Sequence, residues 1–181
     1  MAKQYPQITD AHQAFIEQQR IFFVGTAGRS GRVNVSPKGM DSLRVLGPNR
    51  VVWLSVTGSG NESAAHVAEN GRMTVMFCSF EGAPMILRLY GKAGVVYPRD
   101  PDWDGLIGEF PSLPGTRQLF DLQVDRVQTS CGMAVPLYDY EGDREALNQW
   151  ACKKGPDGVE AYWKEKNQVS IDGAPTHIFP K

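Results

Sequence analysis

Residues 51–77 read VVWLSVTGSGNESAAHVAENGRMTVMF, and the rest of the chain is organised around this stretch. Its pattern predicts a strand over residues 51–55, a glycine-rich loop, a short helix and a second strand over residues 73–77. The first strand is almost wholly apolar, and Gly71 is a typical residue to end the helix. The stretch therefore predicts two core strands that are joined by a compact loop and helix.

The loop over residues 57–61 has features of an anion-binding site. Its two glycines let the backbone approach a ligand closely, and Ser59 and Glu62 have the spacing of a capping box. Free N–H groups at the start of a helix can bind a phosphate, with help from nearby hydroxyls. Those hydroxyls are the ones of Thr57, Ser59 and Ser63. The alternative is a capped turn that only joins two strands.

Short strands dominate the rest of the chain. Strands are predicted over residues 21–26, 33–36, 42–46, 85–90, 92–97 and 119–130, with a bend at Gly91. Helices are predicted over residues 9–20, 145–153 and 158–166, with a short one within residues 98–118. Many short strands with few helices favour an antiparallel, barrel-like sheet of about six strands over a parallel one.

The strand over residues 33–36 alternates between apolar and polar side chains. Asn34 and Ser36 share one face, and the two valines share the other. Pro37 is expected to end the strand, because proline cannot donate to a ladder. Lys38 follows directly and could meet a phosphate as a point charge, although a solvated turn lysine is the alternative. Arg88 stands in an otherwise apolar strand, where it faces solvent, a partner subunit or a buried anion.

Composition excludes several classes of protein. The chain has 181 residues, enough for one domain, with 41% hydrophobic and 22% charged residues. A net charge of −1 and a pI near 6.3 argue against nucleic-acid binding, and no apolar run or leader sequence predicts a membrane protein. The three cysteines and three histidines are dispersed, which predicts a reduced, cytoplasmic protein without a metal site.

A dinucleotide-binding fingerprint is the main alternative for the glycine loop. Gly58, Gly60 and Ser63 have the right spacing, but a serine replaces the third small residue of that motif. A helix of about nine residues is also short for a crossover connection. Glu81, the possible ribose ligand, falls in a turn. The hairpins before the loop also disagree with an alternating strand–helix order, so this interpretation is rejected.

Three segments taken together resemble the pyridoxamine 5′-phosphate oxidase-like family of FMN-binding split barrels. They are GRVNVSPKG (31–39), the stretch over residues 51–77, and ILRLYGKA (86–93), and the similarity covers about residues 15–130. The resemblance implies a mainly β, six-stranded antiparallel Greek-key split β-barrel with a few short helices. It also implies a homodimer with FMN at the subunit interface. Residues 1–130 would form this FMN-binding domain, and residues 131–181 a helical and loop extension that packs on it.

The resemblance assigns cofactor-binding roles by position. Lys38 and the 57–63 loop would hold the FMN phosphate, and Asn34 and Ser36 would border the ring and the ribityl chain. The backbone of residues 53–55 would line the flavin edge, and Arg88 would reach the partner's flavin. The full set implied is Asn34, Ser36, Lys38, Trp53, Leu54, Ser55, Thr57, Ser59, Asn61, Ser63 and Arg88.

Two departures from the family separate this chain from the oxidase itself. Asn61, Glu62 and Ser63 stand where those enzymes carry Ser-Arg-Lys, so two cationic phosphate ligands are missing. Their C-terminal Arg-x-His-x-Arg signature is also absent, because His177 lacks flanking arginines. Oxidation of pyridoxamine phosphate is therefore not expected. The expected function is that of an FMN-dependent oxidoreductase acting on a small molecule; the alternative is a non-catalytic dimer that binds flavin or haem.

Overall fold

An antiparallel sheet forms the body of the structure, a computed structural model that describes residues 2–180. Its strands are β1 (Lys3–Tyr5), β2 (Phe22–Ala27), β3 (Val33–Lys38), β4 (Leu43–Gly47), β5 (Arg50–Val56), β6 (Arg72–Cys78), β7 (Ile86–Val96) and β8 (Thr116–Ser130). The helices are α1 (Asp10–Gln18), α2 (Glu62–Asn70), α3 (Trp103–Ile107) and α4 (Ala146–Lys166). The mainly β, antiparallel class predicted from sequence is confirmed.

The order of the strands is β3-β2-β6-β7-β8-β5-β4, and β1 pairs with β8. The sheet curls without closing, so β3 and β4 are its two free ends. The described strands number eight rather than the expected six. The three-residue β1 carries too little pattern to be predicted. Every other strand corresponds to a predicted segment, with the segments over residues 85–90 and 92–97 joined in β7.

β7 is one strand rather than two. Its pairing with β8 shifts register between Tyr90 and Gly91, which face Arg126 and Val124 respectively. The bend expected at Gly91 is therefore a β-bulge, with Asp125 as the extra residue on β8. Because a bulge bends a strand without breaking it, β7 continues across Gly91.

Pro37 does not end β3, contrary to the expectation from sequence. It pairs with Phe23, and Lys38 pairs with Phe22, both within the strand. β3 lies at the edge of the sheet, and a proline is tolerated there because its missing N–H faces no neighbouring strand. Lys38 is consequently a strand residue with a defined direction rather than a turn residue.

Two hydrophobic clusters lie on opposite faces of β5. Val51 and Trp53 belong to the main core, where the Trp53 ring stacks on Phe120 at a centroid distance of 4.3 Å. Val52 and Leu54 point the other way, into a smaller cluster that α3 covers. The strand is therefore buried on both faces, which explains its nearly continuous apolar sequence.

The C-terminal residues contact the glycine-rich loop. α4 contains non-helical backbone at Gly155, which separates it into the two helical parts expected from sequence. The indole N–H of Trp163 donates to the Thr57 hydroxyl at 2.8 Å, and the Asn167 amide donates to the Gly58 carbonyl at 3.2 Å. These contacts hold α4 and the tail against the loop over residues 57–61.

Candidate functional site

A cavity of about 650 Å³ lies between the inner face of β3, the end of β5, the start of α2 and residues 166–171 of the tail. This volume is in the range of small-ligand sites. Eight of the residues expected from sequence line it: Asn34, Ser36, Lys38, Trp53, Ser55, Ser59, Asn61 and Ser63.

The alternation of β3 explains why polar side chains face this cavity. Asn34, Ser36 and Lys38 are half-buried on its inner face. Val33 and Val35 alternate with them and are 73% and 65% exposed, and Val33 also contributes to the lining of the cavity. The expected separation of the two faces is therefore present, with the polar face turned inward.

Three of the expected residues do not line the cavity. Leu54 is buried in the smaller cluster beneath α3. Thr57 is also buried, and its hydroxyl donates to the Gly115 carbonyl at 2.8 Å. Arg88 lies on β7 and donates to the Ser130 hydroxyl at 3.2 Å. Leu54 and Thr57 support the site from behind, and Arg88 is not brought to it within one chain.

Arg117, on β8, is a cavity residue that sequence reasoning missed. It is 4% exposed, and its guanidinium donates to the Gly60 carbonyl (3.0 Å), to Asn167 Oδ1 (2.6 Å) and to the Ser55 hydroxyl (3.3 Å). Its Nε has no hydrogen-bond partner, and none of the ion pairs found within residues 2–180 involves it. No local sequence signal marked it, because Arg117 precedes the strand that the sequence pattern predicts from residue 119.

A buried arginine without a carboxylate partner is electrostatically incomplete. Burial lowers the pKa of Arg117 to about 10, so the side chain stays cationic at neutral pH. Burying a charge is costly unless an opposite charge compensates it. An anionic ligand in the adjoining cavity would supply that compensation.

Lys38 is the second cation of the cavity. Its ammonium lies 5.4 Å from the centroid of the Trp53 ring, a cation–π arrangement. Burial, and secondly the charge of Arg117, lower the pKa of Lys38 to about 8. Lys38 also borders a second, wider cavity of about 1410 Å³, between the end of α1, the turn at residues 79–85 and residues 138–147.

The start of α2 differs from the capping box expected from sequence. Asn61 precedes the helix, and no side chain caps it. Its amide instead forms a reciprocal pair with Gln118, at 3.2 and 2.7 Å. The Glu62 carboxylate accepts from the backbone N–H of Ile171 at 3.0 Å, so it is held by the tail rather than by Ser59. The N–H groups of Glu62 and Ser63 thus remain available to a ligand, whereas those of Ala64 and Ala65 donate to the Asn61 carbonyl.

A polar network closes the other end of the cavity. The Asn34 amide donates to the Ser63 hydroxyl at 3.2 Å and to the Thr26 hydroxyl at 3.4 Å. Thr26 Oγ1 also lies 3.1 Å from Nδ1 of His66, which is 3% exposed and lines the cavity. Sequence reasoning recorded His66 only as a dispersed histidine, because its partners are distant in the chain.

Ser63 and Lys38 lie toward opposite ends of this site. Asn34 contacts Ser63 directly, whereas Lys38 comes four residues later on β3, about 13 Å along a strand. A phosphate bound at Ser63 would therefore leave Lys38 to face another part of the same ligand. Such a site can bind an elongated molecule that is anionic at one end.

Within residues 2–180, no group of three or more His, Cys, Asp or Glu side chains is placed to hold a metal ion. No described helix is both long enough and apolar enough to cross a membrane.

Comparisons with known proteins agree with this geometry. The family model of pyridoxamine 5′-phosphate oxidase matches residues 8–131. A pyridoxamine 5′-phosphate oxidase family protein of Aspergillus flavus, ustO, is 40% identical over 153 residues, which cover 82% of this chain. The match covers 61% of that relative, so this chain spans about three fifths of its length.

Solved structures share the fold at low sequence identity. HupZ of Group A Streptococcus is 18% identical, with a TM-score of 0.54 over 68% of this chain and 99% of the other. HutZ of Vibrio cholerae, described as a heme storage protein, is 17% identical, with a TM-score of 0.51 over 70% and 98%. A protein of Lactobacillus delbrueckii assigned to pyridoxamine 5′-phosphate oxidase is 18% identical, with a TM-score of 0.54 over 68% and 94%. These likenesses show a split-barrel fold.

Proposed function

The chain belongs to the pyridoxamine 5′-phosphate oxidase family, and from this premise we propose that it is an FMN-binding flavoprotein that oxidises or reduces a small molecule. The observation that carries the proposal is Arg117, a buried guanidinium that lines the cavity and forms no ion pair within residues 2–180. The three cysteines are free thiols, which supports a cytoplasmic location.

The residues of the cavity fit FMN in both charge and length. In our proposal the phosphate lies at the start of α2, where Ser59, Ser63 and Arg117 meet it together with free backbone N–H groups. Arg117 then replaces the two cations that the family motif carries before this helix. Asn34 and Ser36 border the rest of the cofactor, and Lys38 lies near its ring.

The protein's contribution to catalysis is binding and orientation. A bound FMN would supply the hydride or electron transfer, so no acid–base residue is compulsory. Trp53 and Phe120 give the cavity a rigid aromatic floor, and the tail excludes water from one side. A substrate can approach through the second cavity, which meets the first at Lys38. Arg88 is proposed to contact the cofactor of a second subunit.

The visible spectrum of the purified protein tests the proposal. Flavin absorption at close to one FMN per chain, or the same after adding FMN, is the expected result. Anaerobic mixing with NADH or NADPH should then bleach the flavin if the protein is an oxidoreductase. A colourless protein that does not bind added FMN would contradict the proposal, and a yellow protein that does not bleach would favour a non-catalytic flavoprotein.

The charge of Lys38 predicts a pH dependence of FMN binding. Its pKa is lowered to about 8, so the ammonium becomes a neutral amine as the pH rises through that value. The dissociation constant of FMN is therefore expected to increase about three- to tenfold from pH 7 to pH 9.5. Flavin fluorescence titrations measure it. In Lys38→Met the affinity should be lower at pH 7 and nearly independent of pH; the same slope as wild type would contradict this role.

A homodimer with the cofactor at the interface is the assembly we propose. Val33 and Val35 leave an exposed apolar face on an edge strand, beside Val169 and Ile171, which are 55% and 71% exposed. Such a face favours coverage by another chain. Val35→Asp is expected to turn a dimer into a monomer and to weaken FMN binding, as light scattering and titration would measure. Leu46→Asp, at the opposite end of the sheet, is the control; a Val35→Asp dimer would contradict this interface.

Haem is a second candidate ligand. HutZ, which is described as a heme storage protein, shares the fold, and histidine nitrogen, which His66 presents to the cavity, is a common haem ligand. A Soret band in the purified protein or after addition of haemin, without flavin binding, would favour this function over the first.

A further inference from the structure

His66 presents one ring nitrogen to the cavity and uses the other within the protein. Nδ1 lies 3.1 Å from Thr26 Oγ1. Nε2 has no hydrogen-bond partner among residues 2–180, and it is not among the solvent-inaccessible unpartnered atoms there. Because the ring is 3% exposed and lines the cavity, Nε2 opens toward a ligand rather than toward bulk water.

The neighbours of Thr26 determine which nitrogen carries the proton. Asn34 donates to Thr26 Oγ1, so this hydroxyl already accepts one hydrogen bond. Its own proton can go to His66 Nδ1 at 3.1 Å or to Ser63 Oγ at 3.5 Å. The contact to Nδ1 is the shorter of the two, so we assign the hydroxyl proton to it. With Nδ1 as the acceptor, the ring proton lies on Nε2.

The electrostatics of the cavity select the same arrangement. His66 and Ser63 lie one turn apart on α2, near its positive N-terminal end. Arg117 faces the same loop through the Gly60 carbonyl. Glu62 also lines the cavity and Asp172 lies near His66, but the Glu62 carboxylate accepts from the Ile171 N–H and Asp172 is paired with Arg32. An anionic acceptor bound here would therefore take a hydrogen bond from Nε2–H.

We propose that His66 is a phosphate-binding residue whose Nε2–H, oriented by the chain from Asn34 through Thr26 to Nδ1, donates to a phosphate oxygen of the bound nucleotide. The proposal rests on the proposed function and deepens it. In this arrangement His66 is a fixed donor on the cavity that Arg117 also lines. Thr26 and Asn34 are then positioning residues that act through His66.

Titration with FMN and with riboflavin, which lacks the phosphate, tests this role. His66→Phe is expected to weaken FMN binding about tenfold or more and to leave riboflavin binding unchanged. His66→Gln should retain most of the affinity, because its amide can still donate at a similar reach. Thr26→Val should weaken FMN binding about threefold to tenfold, and it should have no further effect in the His66→Phe background.

Each outcome separates this role from a structural one. If His66→Phe binds FMN as tightly as wild type, or loses riboflavin equally, the phosphate contact is wrong. If the effects of Thr26→Val and His66→Phe on the free energy of FMN binding are additive, Thr26 does not act through His66, and the hydrogen-bonded chain is excluded. If circular dichroism shows that His66→Phe is unfolded, the near-isosteric Thr26→Val decides by its selectivity for FMN over riboflavin. Wild-type protein that binds neither flavin overturns the proposed function itself.

Discussion

Replacement of Arg117 by methionine is expected to weaken FMN binding by about a hundredfold. A hydrogen bond to a charged group is worth about 1.5–3 kcal/mol, and Arg117 would add a full charge in a buried site. No other buried cation is available at the Gly60 end of the cavity within the described residues. Fluorescence quenching of FMN at pH 7 measures the affinity.

Two further variants make the result specific to the guanidinium at this position. Arg126→Met removes an exposed arginine from the same strand, β8, and should leave the affinity unchanged. Arg117→Lys should bind with intermediate affinity, because an ammonium keeps the charge and loses the planar fork. The thermal midpoint of each protein without FMN shows whether the variant is folded. Methionine is chosen because it fills much of the volume of the arginine side chain without a buried charge. Wild-type affinity in Arg117→Met would exclude this residue from the site.

Much of β3 and its contribution to the site could be predicted from sequence. Alternation alone put Asn34 and Ser36 on one face, and that face lines the cavity. Local pattern sufficed because a strand's two faces depend only on neighbouring residues. Whether Pro37 ends β3 depends on the position of β3 within the sheet. The sequence pattern of a single strand does not reveal that position.

Arg117 and His66 could not be placed from sequence for a related reason. Arg117 reaches the site because its neighbour Gln118 pairs with Ser55, across 63 positions of the chain. His66 meets Thr26 because α2 packs on β2. Short motifs contain only residues that are close in sequence. The phosphate ligands predicted from the motif were therefore confined to the loop over residues 57–61 and its neighbours.

The capping box is absent because the helix begins at Glu62, with Asn61 rather than Ser59 at its cap position, and because Glu62 has a distant partner. Ser59 and Glu62 have the correct spacing, but the Ile171 N–H occupies the Glu62 carboxylate from 109 positions further along the chain. A local capping bond contributes about 1 kcal/mol, a size that one tertiary hydrogen bond can match. The result helps the proposed site, because the start of α2 keeps its free N–H groups.

Replacement of Gly91 by alanine is expected to lower the free energy of unfolding by about 3 kcal/mol or more. A Cβ at this position would lie 1.9 Å from the Gln123 carbonyl oxygen and 2.9 Å from its carbonyl carbon. These are backbone atoms of β8, the neighbouring central strand, so no side-chain rotation can relieve the contact. The bulge that bends β7 would have to open, at the cost of overpacking and lost strand pairing.

Gly94→Ala in the same strand is the matched control, and its expected effect has the opposite sign. Gly94 also pairs with β8, yet an added Cβ there would meet no atom within 4 Å. Alanine should therefore raise stability by about 0.5 kcal/mol, because it restricts the unfolded chain. Urea denaturation at one fixed protein concentration measures both variants against wild type. Equal midpoints for Gly91→Ala and Gly94→Ala would mean that the β7–β8 bulge does not require a glycine. A large loss only for Gly91→Ala would show that the close backbone approach at the bulge fixes the bend on which the curvature of the sheet depends.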